Sequence, residues 1–301
     1  MTYFNQTFGN GKDQLPIEAD RYRLIRAATC PYAHRAAIAR QLLGLDDVIS
    51  MGTVDSVSTS EGWLFRHDPD QKDPVLEVKS IRDIYYHTIP DYNEAFSVPI
   101  LVDVPSGKIV RRESHEILRD FSVAFKALHS ENAPDLYPDQ LAHVIDEWNE
   151  RIMKDVADQV YVIGFSENQA DYEAAIDTFF RTLDEIDYRL SKQRYMHGDA
   201  LSETDIILFT PLVRLDIVYN PLFNANKKRL TDYTHLWGYM RELYQMPAFQ
   251  DTTDFNAIKK GYYTGTSGEL WGKGNIVPVG PDTSIWLEPH DRQDETYHFW
   301  H

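Results

Sequence analysis

One cysteine stands between a strand pattern and a helix pattern, and this junction restricts the fold more than any other feature of the chain. Residues 22–27 alternate in a way that predicts a short strand. Pro31 and the apolar residues behind it predict a helix, because proline suits a first helical turn. Cys30 is therefore expected at a helix N-terminus, where orphan amides and the helix dipole lower the pKa of a thiol. A buried inert cysteine is the alternative interpretation.

The next elements follow in the order of a thioredoxin-like domain. A second strand is predicted at 48–55, and strands at 97–103 and 109–112 form a hairpin before a helix capped near Ser114. The long polar passage 56–96 is expected to be a functional loop. This order of strands and helices predicts a mixed sheet with packed helices. The Val98-Pro99 bond stands where such a fold holds a cis peptide, although trans is the commoner form of any X-Pro bond.

Helical periodicity dominates the chain after a linker near residues 132–138. Apolar faces predict helices within 141–156, 172–190, 206–212 and 235–244. Ser202 and Asp205 form a capping-box pattern, which is structural rather than chemical. We therefore expect an α/β plus all-α protein with four parts: an N-terminal arm (1–20), a thioredoxin-like domain (21–131), an all-helical domain (138–265) and a C-terminal extension (266–301).

Charge and composition exclude several classes of partner. The chain has 301 residues, with 47 acidic against 30 basic side chains and a formal net charge of −17. Such a charge repels phosphate backbones and anionic lipid surfaces, so we expect neither nucleic acid nor membrane as a partner. One cysteine cannot form an internal disulfide, and the N-terminus has no signal-peptide pattern. We therefore expect a cytoplasmic protein.

Other catalytic patterns are missing from the sequence. It contains no glycine-rich phosphate loop and no GxSxG elbow, and its eleven histidines are scattered, so we expect no metal site. Ala33 occupies the position where a dithiol oxidoreductase has its second cysteine. Thiol–disulfide exchange needs a second thiolate, which must then come from a small external thiol such as glutathione.

A series of short motifs runs along residues 20–281. They are Cys30-Pro31-Tyr32-Ala33-His34-Arg35, Gly62-Trp63-Leu64-Phe65, Arg82-Asp83-Ile84-Tyr85, Val98-Pro99-Ile100-Leu101, Glu113-Ser114, Val160-Tyr161 with Gly164-Phe165, Asp216-Ile217-Val218-Tyr219, Asn226-Lys227-Lys228-Arg229, Leu236-Trp237-Gly238-Tyr239, Tyr262-Tyr263 and Val277-Pro278-Val279-Gly280-Pro281. Together these motifs resemble one family in particular, the glutathionyl-hydroquinone reductases, which form the Xi class of the glutathione transferase superfamily. Two departures accompany the resemblance: Tyr32 replaces the usual Trp beside the cysteine, and Val102 stands where Trp often follows. The segment after Pro281 lies outside the pattern.

The resemblance implies that glutathione is a co-substrate, that no metal is needed and that Cys30 is the nucleophile. Cys30 would attack the sulfur of a glutathionyl-hydroquinone and form a mixed disulfide, which a second glutathione resolves. Glu113 and Ser114 would hold the α-amino and α-carboxylate groups of the tripeptide. The Val98 backbone would pair with its cysteinyl part. The family is also expected to form homodimers.

The same resemblance implies roles for four further side chains. Arg82 and Trp63 would hold the remaining carboxylate and cover the tripeptide. Tyr161 and Tyr262 would line the aromatic site and donate hydrogen bonds to the phenolic oxygens, and we count both tyrosines with Cys30 among the catalytic residues. Each also has a structural interpretation, since tyrosine often lies in a core with its hydroxyl at the edge.

Two other functions remain open from the sequence. An omega-like thioltransferase or dehydroascorbate reductase would share Cys30 but act on small disulfides. A non-catalytic ligand carrier of the same fold would need no activated thiol. Alkylation kinetics separate the carrier from the enzymes, because only an enzyme requires a lowered cysteine pKa.

Overall fold

The computed structural model describes residue 4, residues 6–272, residues 275–290 and residue 292. The chain divides into two compact units, one formed by residues 1–133 with 252–278 and the other by 134–251 with 279–301. The strands are β1 (Tyr22–Ala27), β2 (Ile49–Val54), β3 (Ile100–Asp103) and β4 (Lys108–Arg111). The helices are α1 (Pro31–Leu42), α2 (Ile81–Thr88), α3 (Ser114–Ser122), α4 (Ala142–Ile152), α5 (Gln159–Phe165), α6 (Gln169–Leu190), α7 (Glu203–Leu212), α8 (Asn220–Leu222), α9 (Thr234–Tyr244), α10 (Pro247–Gln250), α11 (Phe255–Tyr263) and α12 (Gly265–Leu270).

The predicted strands pair in one mixed sheet of the first unit. Its order in the described chain is β2-β1-β3-β4, with β1 parallel to β2 and antiparallel to β3, and β3 antiparallel to β4. The thioredoxin-like prediction is confirmed, and so is the cis form of the Val98-Pro99 peptide. An apolar cluster that includes Ile25, Phe65 and Ile100 forms the core beside this sheet. Because β1 leads straight into α1, the sheet fixes where α1 begins.

The prediction of an uninterrupted loop over 56–96 is wrong, because α2 lies within it. Ser80 and Asp83 cap this helix reciprocally, and Ile81, Ile84 and Tyr85 are buried on its inner face. The eight-residue helix has only two turns, so its apolar periodicity is weak against the polar residues around it. The capping box was nevertheless present in the sequence as a start signal.

A buried ion pair attaches the same segment to the sheet. Arg23 on β1 places its Nη2 2.7 Å from Oδ2 of Asp73, and the Asp73 side chain is fully buried. Asp73 also accepts the backbone N–H groups of Val75 and Leu76. Burial of a carboxylate is tolerable only when it is paired and hydrogen-bonded in this way. The segment that leads to α2 is therefore anchored rather than free.

The second unit is helical, as expected, and its helix α7 begins at the predicted capping box. Ser202 and Asp205 bond reciprocally at the start of α7, which confirms the pattern in the sequence. All ten residues of α7 are buried. Ile145 and Ile152 of α4 are buried as expected, whereas Val144 is exposed. None of the helices in the described ranges is long and apolar enough to cross a membrane.

The two units divide the C-terminal third differently from the boundaries expected from the sequence. Residues 252–278, which include α11 and α12, belong with the thioredoxin-like unit rather than with a helical domain ending at 265. The described residues after 278 belong to the helical unit, where Trp286 packs edge-on against Trp237 at 4.9 Å between ring centroids. The described residues of the expected extension at 266–301 are therefore divided between the two units, and residues 293–301 lie outside the described part of the chain. The N-terminal arm has a packed residue too, since Phe8 contacts Tyr22.

One histidine of the helical unit makes stability depend on pH. Burial, assisted by the charge of Arg189, lowers the pKa of His197 to about 4. Between about pH 6.5 and about pH 4 the unfolded chain binds a proton at this ring that the folded chain does not. The free energy of unfolding should therefore fall as the pH falls, by up to about 1.4 kcal/mol per pH unit from this group. His197→Gln should flatten the pH dependence of the urea midpoint, and an equally steep profile would contradict the assignment.

Candidate active site

Cys30 occupies the N-cap of α1, as the sequence predicted. Its Sγ accepts the N–H of Ala33 at 3.4 Å and donates to the carbonyl oxygen of Val98 at the same distance. An amide directed at the sulfur stabilises a thiolate, as does the positive end of the helix dipole. The residue is partly exposed. Cys30 therefore packs at the edge of the core rather than inside it, a position compatible with a nucleophilic role.

Val98 brings a backbone carbonyl beside that sulfur. Its side chain lies in the apolar core, and the cis peptide to Pro99 precedes β3. The residue is only 7% exposed, so its role is limited to its backbone groups. A peptide lying along this segment can pair with those groups in the manner of an added strand.

Glu113 and Ser114 lie together at the start of α3. Glu113 is the N-cap residue, and its half-exposed carboxylate lies 3.3 Å from Nε of Arg112. Ser114 is the first helical residue and is buried. The first amides of a helix have no intrahelical acceptor, which makes this end suited to an anion. A carboxylate, a hydroxyl and backbone amides are thus grouped at one place. The carboxylate suits the ammonium group of an amino acid, and the hydroxyl and amides suit its carboxylate.

Trp63 lies in the segment between β2 and α2, and Arg82 lies in the first turn of α2. The Trp63 side chain packs partly buried on the apolar core, and its carbonyl accepts the N–H of Ile81 at 3.1 Å. The Arg82 guanidinium lies over the ring of Phe96 at 5.0 Å and donates to the carbonyl of Ser60 at 3.4 Å. Within the described residues, Nε of Arg82 is buried without a hydrogen-bond partner. The Arg82 side chain as a whole is partly exposed.

Tyr262 belongs to the same unit as Cys30 through α11. Gly261 brings this helix so close to the active-site loop that a Cβ there would lie 2.3 Å from Oγ1 of Thr29 and 2.5 Å from the carbonyl oxygen of Ser56. Only glycine, which has no Cβ, allows α11 to lie so close to Thr29 and Ser56. The Thr29 hydroxyl also lies 3.5 Å from the carbonyl of Ile258. The residue before Cys30 is therefore in contact with the helix that carries Tyr262, and the sequence analysis, which assigned α11 to the helical domain, did not anticipate this.

Tyr161 lies in the helical unit, on α5. Its ring packs against those of Tyr219 and Phe223, at centroid distances of 6.1 and 5.6 Å. Gly164 leaves space for the same Phe223 ring, since a Cβ at this glycine would approach it to 2.8 Å. Tyr161 thus belongs to an aromatic cluster, and its side chain is partly exposed.

Arg35 belongs to the cysteine motif, but the sequence alone predicted no role for it. The guanidinium is fully buried, and its Nη1 donates to Oγ of Ser114 at 3.3 Å. The available signal was an arginine beside Ala36 and Ala37 on a helix predicted to pack, because a charge in such a place is kept only for a specific partner. No group of three or more His, Cys, Asp or Glu side chains suited to a metal ion occurs in the described part of the chain.

Comparison with known proteins places both units in one family. Residues 29–122 match the glutathione S-transferase N-terminal domain, and residues 169–242 match the glutathione S-transferase C-terminal domain. The glutathionyl-hydroquinone reductase YqjG of Escherichia coli K12 is 37% identical over 277 residues, which cover 91% of this chain and 83% of the relative. The glutathione S-transferase omega-like 2 of Schizosaccharomyces pombe is also 37% identical, over 89% of this chain and 88% of the relative.

Solved structures agree with these relatives. The Xi class enzyme of Natrialba magadii has a TM-score of 0.92 at 34% identity, covering 99% of this chain and 92% of the other. The glutathione-bound structure of E. coli YqjG has a TM-score of 0.89 at 35% identity and covers 96% of both chains. The resemblance found in the cysteine motif thus extends over almost the whole length. The chain belongs to the glutathione S-transferase superfamily and, within it, to the glutathionyl-hydroquinone reductases of the Xi class.

Proposed function

We propose that this protein reduces glutathionyl-hydroquinones to hydroquinones at the expense of glutathione. The observation that carries the proposal is the position of Cys30, whose sulfur accepts an amide at the start of α1. It is also the only cysteine of the chain, so the resolving thiol must come from outside. Family membership selects glutathione as that thiol and a glutathionyl-hydroquinone as the substrate.

In the first step the Cys30 thiolate attacks the glutathionyl sulfur of the substrate. A sulfur–sulfur bond forms while the bond from sulfur to the ring carbon breaks, and its electron pair passes to the ring. That carbon takes up a proton, which gives the hydroquinone. The sulfurs of Cys30 and glutathione are thereby oxidised to a mixed disulfide, and the ring is reduced by two electrons.

In the second step a free glutathione thiolate attacks the glutathionyl sulfur of the mixed disulfide. Glutathione disulfide leaves, and Cys30 returns to the thiolate. The Ala33 amide assists here because it favours the charged form of the leaving sulfur.

The first unit supplies the proposed glutathione site. Glu113 pairs with the α-amino group, and Ser114 with the first amides of α3 binds the α-carboxylate. The Val98 backbone aligns the cysteinyl part beside Cys30. Arg82, whose side chain is partly exposed, binds the second carboxylate, and Trp63 covers the tripeptide.

The two tyrosines serve the aromatic half of the substrate in this proposal. Tyr262 follows Gly261 on the helix that contacts Thr29, next to the nucleophile. Tyr161 belongs to an aromatic cluster with Tyr219 and Phe223. A phenol hydroxyl can donate to a ring oxygen and stabilise the negative charge that develops when the carbon–sulfur bond breaks.

Omega-like thioltransfer is a second candidate, favoured by the fission yeast relative described as omega-like. It would use Cys30 in the same exchange but with small disulfides in place of the aromatic conjugate. The two functions are separated by comparing kcat/KM for a glutathionyl-hydroquinone and for bis(2-hydroxyethyl) disulfide. A higher value for the small disulfide would favour thioltransfer.

Intact-mass analysis tests whether Cys30 forms the proposed mixed disulfide with glutathione. After exposure to glutathione disulfide the protein should carry one glutathione adduct, because Cys30 is the only thiol. The adduct should be absent in Cys30→Ser and should form more slowly in Glu113→Ala, which lacks the carboxylate for the amino group. Rapid formation in Glu113→Ala would mean that this acid does not hold the amine.

We also propose a homodimer, on family membership alone. A light-scattering mass near that of one 34.9 kDa chain would contradict it. A reducing compartment such as the cytoplasm suits an enzyme that consumes reduced glutathione through a single free thiol.

A further inference from the structure

We propose that Arg35 is a positioning residue for glutathione, acting through Ser114 on the α-carboxylate of the γ-glutamyl group. The inference rests on the glutathione site proposed above and adds a residue to it. Arg35 lies on the first turns of α1 with none of its surface exposed. Its Nη1 donates to Oγ of Ser114 at 3.3 Å. It therefore approaches the anion site at the start of α3 from inside the protein.

The hydrogen bond fixes what the serine hydroxyl can do. A hydroxyl has one hydrogen to donate and two lone pairs to accept with. Because Arg35 occupies a lone pair of Oγ, the hydroxyl hydrogen is left to point to another acceptor. The carboxylate of a bound ligand is such an acceptor, and a hydrogen bond to an ionised group is about twice as strong as one between neutral groups.

Arg35 also adds a permanent positive charge behind the helix terminus. Arginine stays protonated at every pH at which the protein is folded. With the charge buried, little solvent screens it from an anion bound at Ser114. The first amides of α3 and the guanidinium of Arg35 thus both attract the ligand carboxylate.

The side chain of Arg35 is held by a neighbour on its own helix. Its guanidinium carbon lies 4.9 Å from the centroid of the Tyr32 ring, a distance at which a cation–π contact is favourable. Tyr32 is the residue that departs from the family's tryptophan, and it still offers an aromatic face. The ring therefore limits the directions in which the guanidinium can point.

Arg35 and Cys30 lie on the same helix, which links the contact between Arg35 and Ser114 to the position of the reacting sulfur. Arg35 lies five residues after Cys30, which is about 7.5 Å along a helix axis. A rigid helix that holds the Cys30 sulfur at its N-cap and contacts the carboxylate site through Arg35 sets the distance between the positions of the ligand's sulfur and its γ-glutamyl α-carboxylate. Small displacements of a bound reactant are costly for reaction rates. Arg35 should therefore matter only for ligands that carry the γ-glutamyl group.

The test compares two disulfides that react with the same sulfur. The rate of adduct formation at Cys30 is followed by intact mass with subsaturating glutathione disulfide and with bis(2-hydroxyethyl) disulfide, which has no γ-glutamyl group. Arg35→Lys should react about tenfold more slowly with glutathione disulfide and within about twofold of wild type with the small disulfide. Ser114→Ala should show the same selectivity. The double variant should lose little more than either single variant, because both changes remove one interaction.

Matched variants separate positioning from damage to the fold. Arg40→Lys alters another arginine of α1, one that bonds to Asp46 instead, and should leave both rates unchanged. If Arg35→Lys does not fold, Tyr32→Leu removes the ring that holds the guanidinium and should give a smaller loss with the same selectivity. Equal slowing with both disulfides, or fully additive effects of Arg35→Lys and Ser114→Ala, would overturn the proposal.

Failure of this inference differs from failure of the proposed function. The exchange with either disulfide needs only a reactive Cys30, so it can be measured whether or not hydroquinone conjugates are substrates. Unselective slowing in Arg35→Lys would remove Arg35 from the glutathione site and leave the reductase proposal standing. If the wild type does not reduce a glutathionyl-hydroquinone, but Arg35→Lys is slowed only toward glutathione disulfide, the reductase proposal fails and the role of Arg35 stands.

Discussion

Cys30→Ser should lose reduction of a glutathionyl-hydroquinone almost completely, by at least about 10³-fold in kcat/KM. A serine hydroxyl is not ionised near neutral pH at a helix N-terminus, and it cannot form a disulfide with glutathione. The substitution replaces sulfur with oxygen and leaves the shape of the side chain almost unchanged. Steady-state assays at saturating glutathione, with hydroquinone release followed by chromatography, measure the loss.

Two controls show whether the loss of activity comes from the missing thiol or from damage to the fold. The variant should unfold at nearly the same urea concentration as the wild type, since the serine oxygen can still cap α1. Arg40→Lys, on the same helix, should keep its activity, because Arg40 bonds to Asp46 and to the backbone of Ile49. Residual turnover of Cys30→Ser above a few per cent of wild type would show that the mixed disulfide is not on the main path.

The strands of the sheet and the position of Cys30 could be predicted because their signals are local. The alternation over 22–27 and the proline after Cys30 each lie within a few residues, and the structure places β1, the N-cap and α1 where they were expected. The capping box at Ser202 and Asp205 is equally local and is confirmed. Hydrogen bonds between residues three or four apart are what short sequence patterns can encode.

Features that depend on long-range contacts were not predicted. Arg35 and Ser114 are 79 residues apart, and their contact follows from the packing of α1 against α3. Gly261 contacts Thr29 across an even longer stretch of sequence, so the assignment of α11 to the first unit depends on the tertiary structure. Helix α2 is the local exception, since its two turns carried too few apolar positions to stand out from the polar passage around it.

The largest effect on stability is expected for Asp205→Ala. The carboxylate is fully buried at the start of α7 and accepts four hydrogen bonds, from the N–H of Met196 at 2.9 Å, the N–H and hydroxyl of Ser202 at 2.8 Å and the hydroxyl of Tyr239 at 2.7 Å. Burial raises the pKa of this carboxyl above its ordinary value, and those hydrogen bonds act against the shift. The group is thus stabilised only through its partners.

Alanine at position 205 leaves those four donors buried without an acceptor, and each unsatisfied group costs about 1–3 kcal/mol unless water replaces the carboxylate. We therefore expect a loss of about 3–5 kcal/mol in the free energy of unfolding, seen as a large decrease in the urea midpoint of the far-ultraviolet circular dichroism signal. Asp171→Ala is the matched control, because Asp171 holds the same third position of α6 but is exposed and bonds only to the capping residue Asn168 within the described structure. That change should cost no more than about 1 kcal/mol. Equal shifts for the two variants would mean that water or rearranged side chains satisfy the donors around position 205, and that burial adds nothing to this cap.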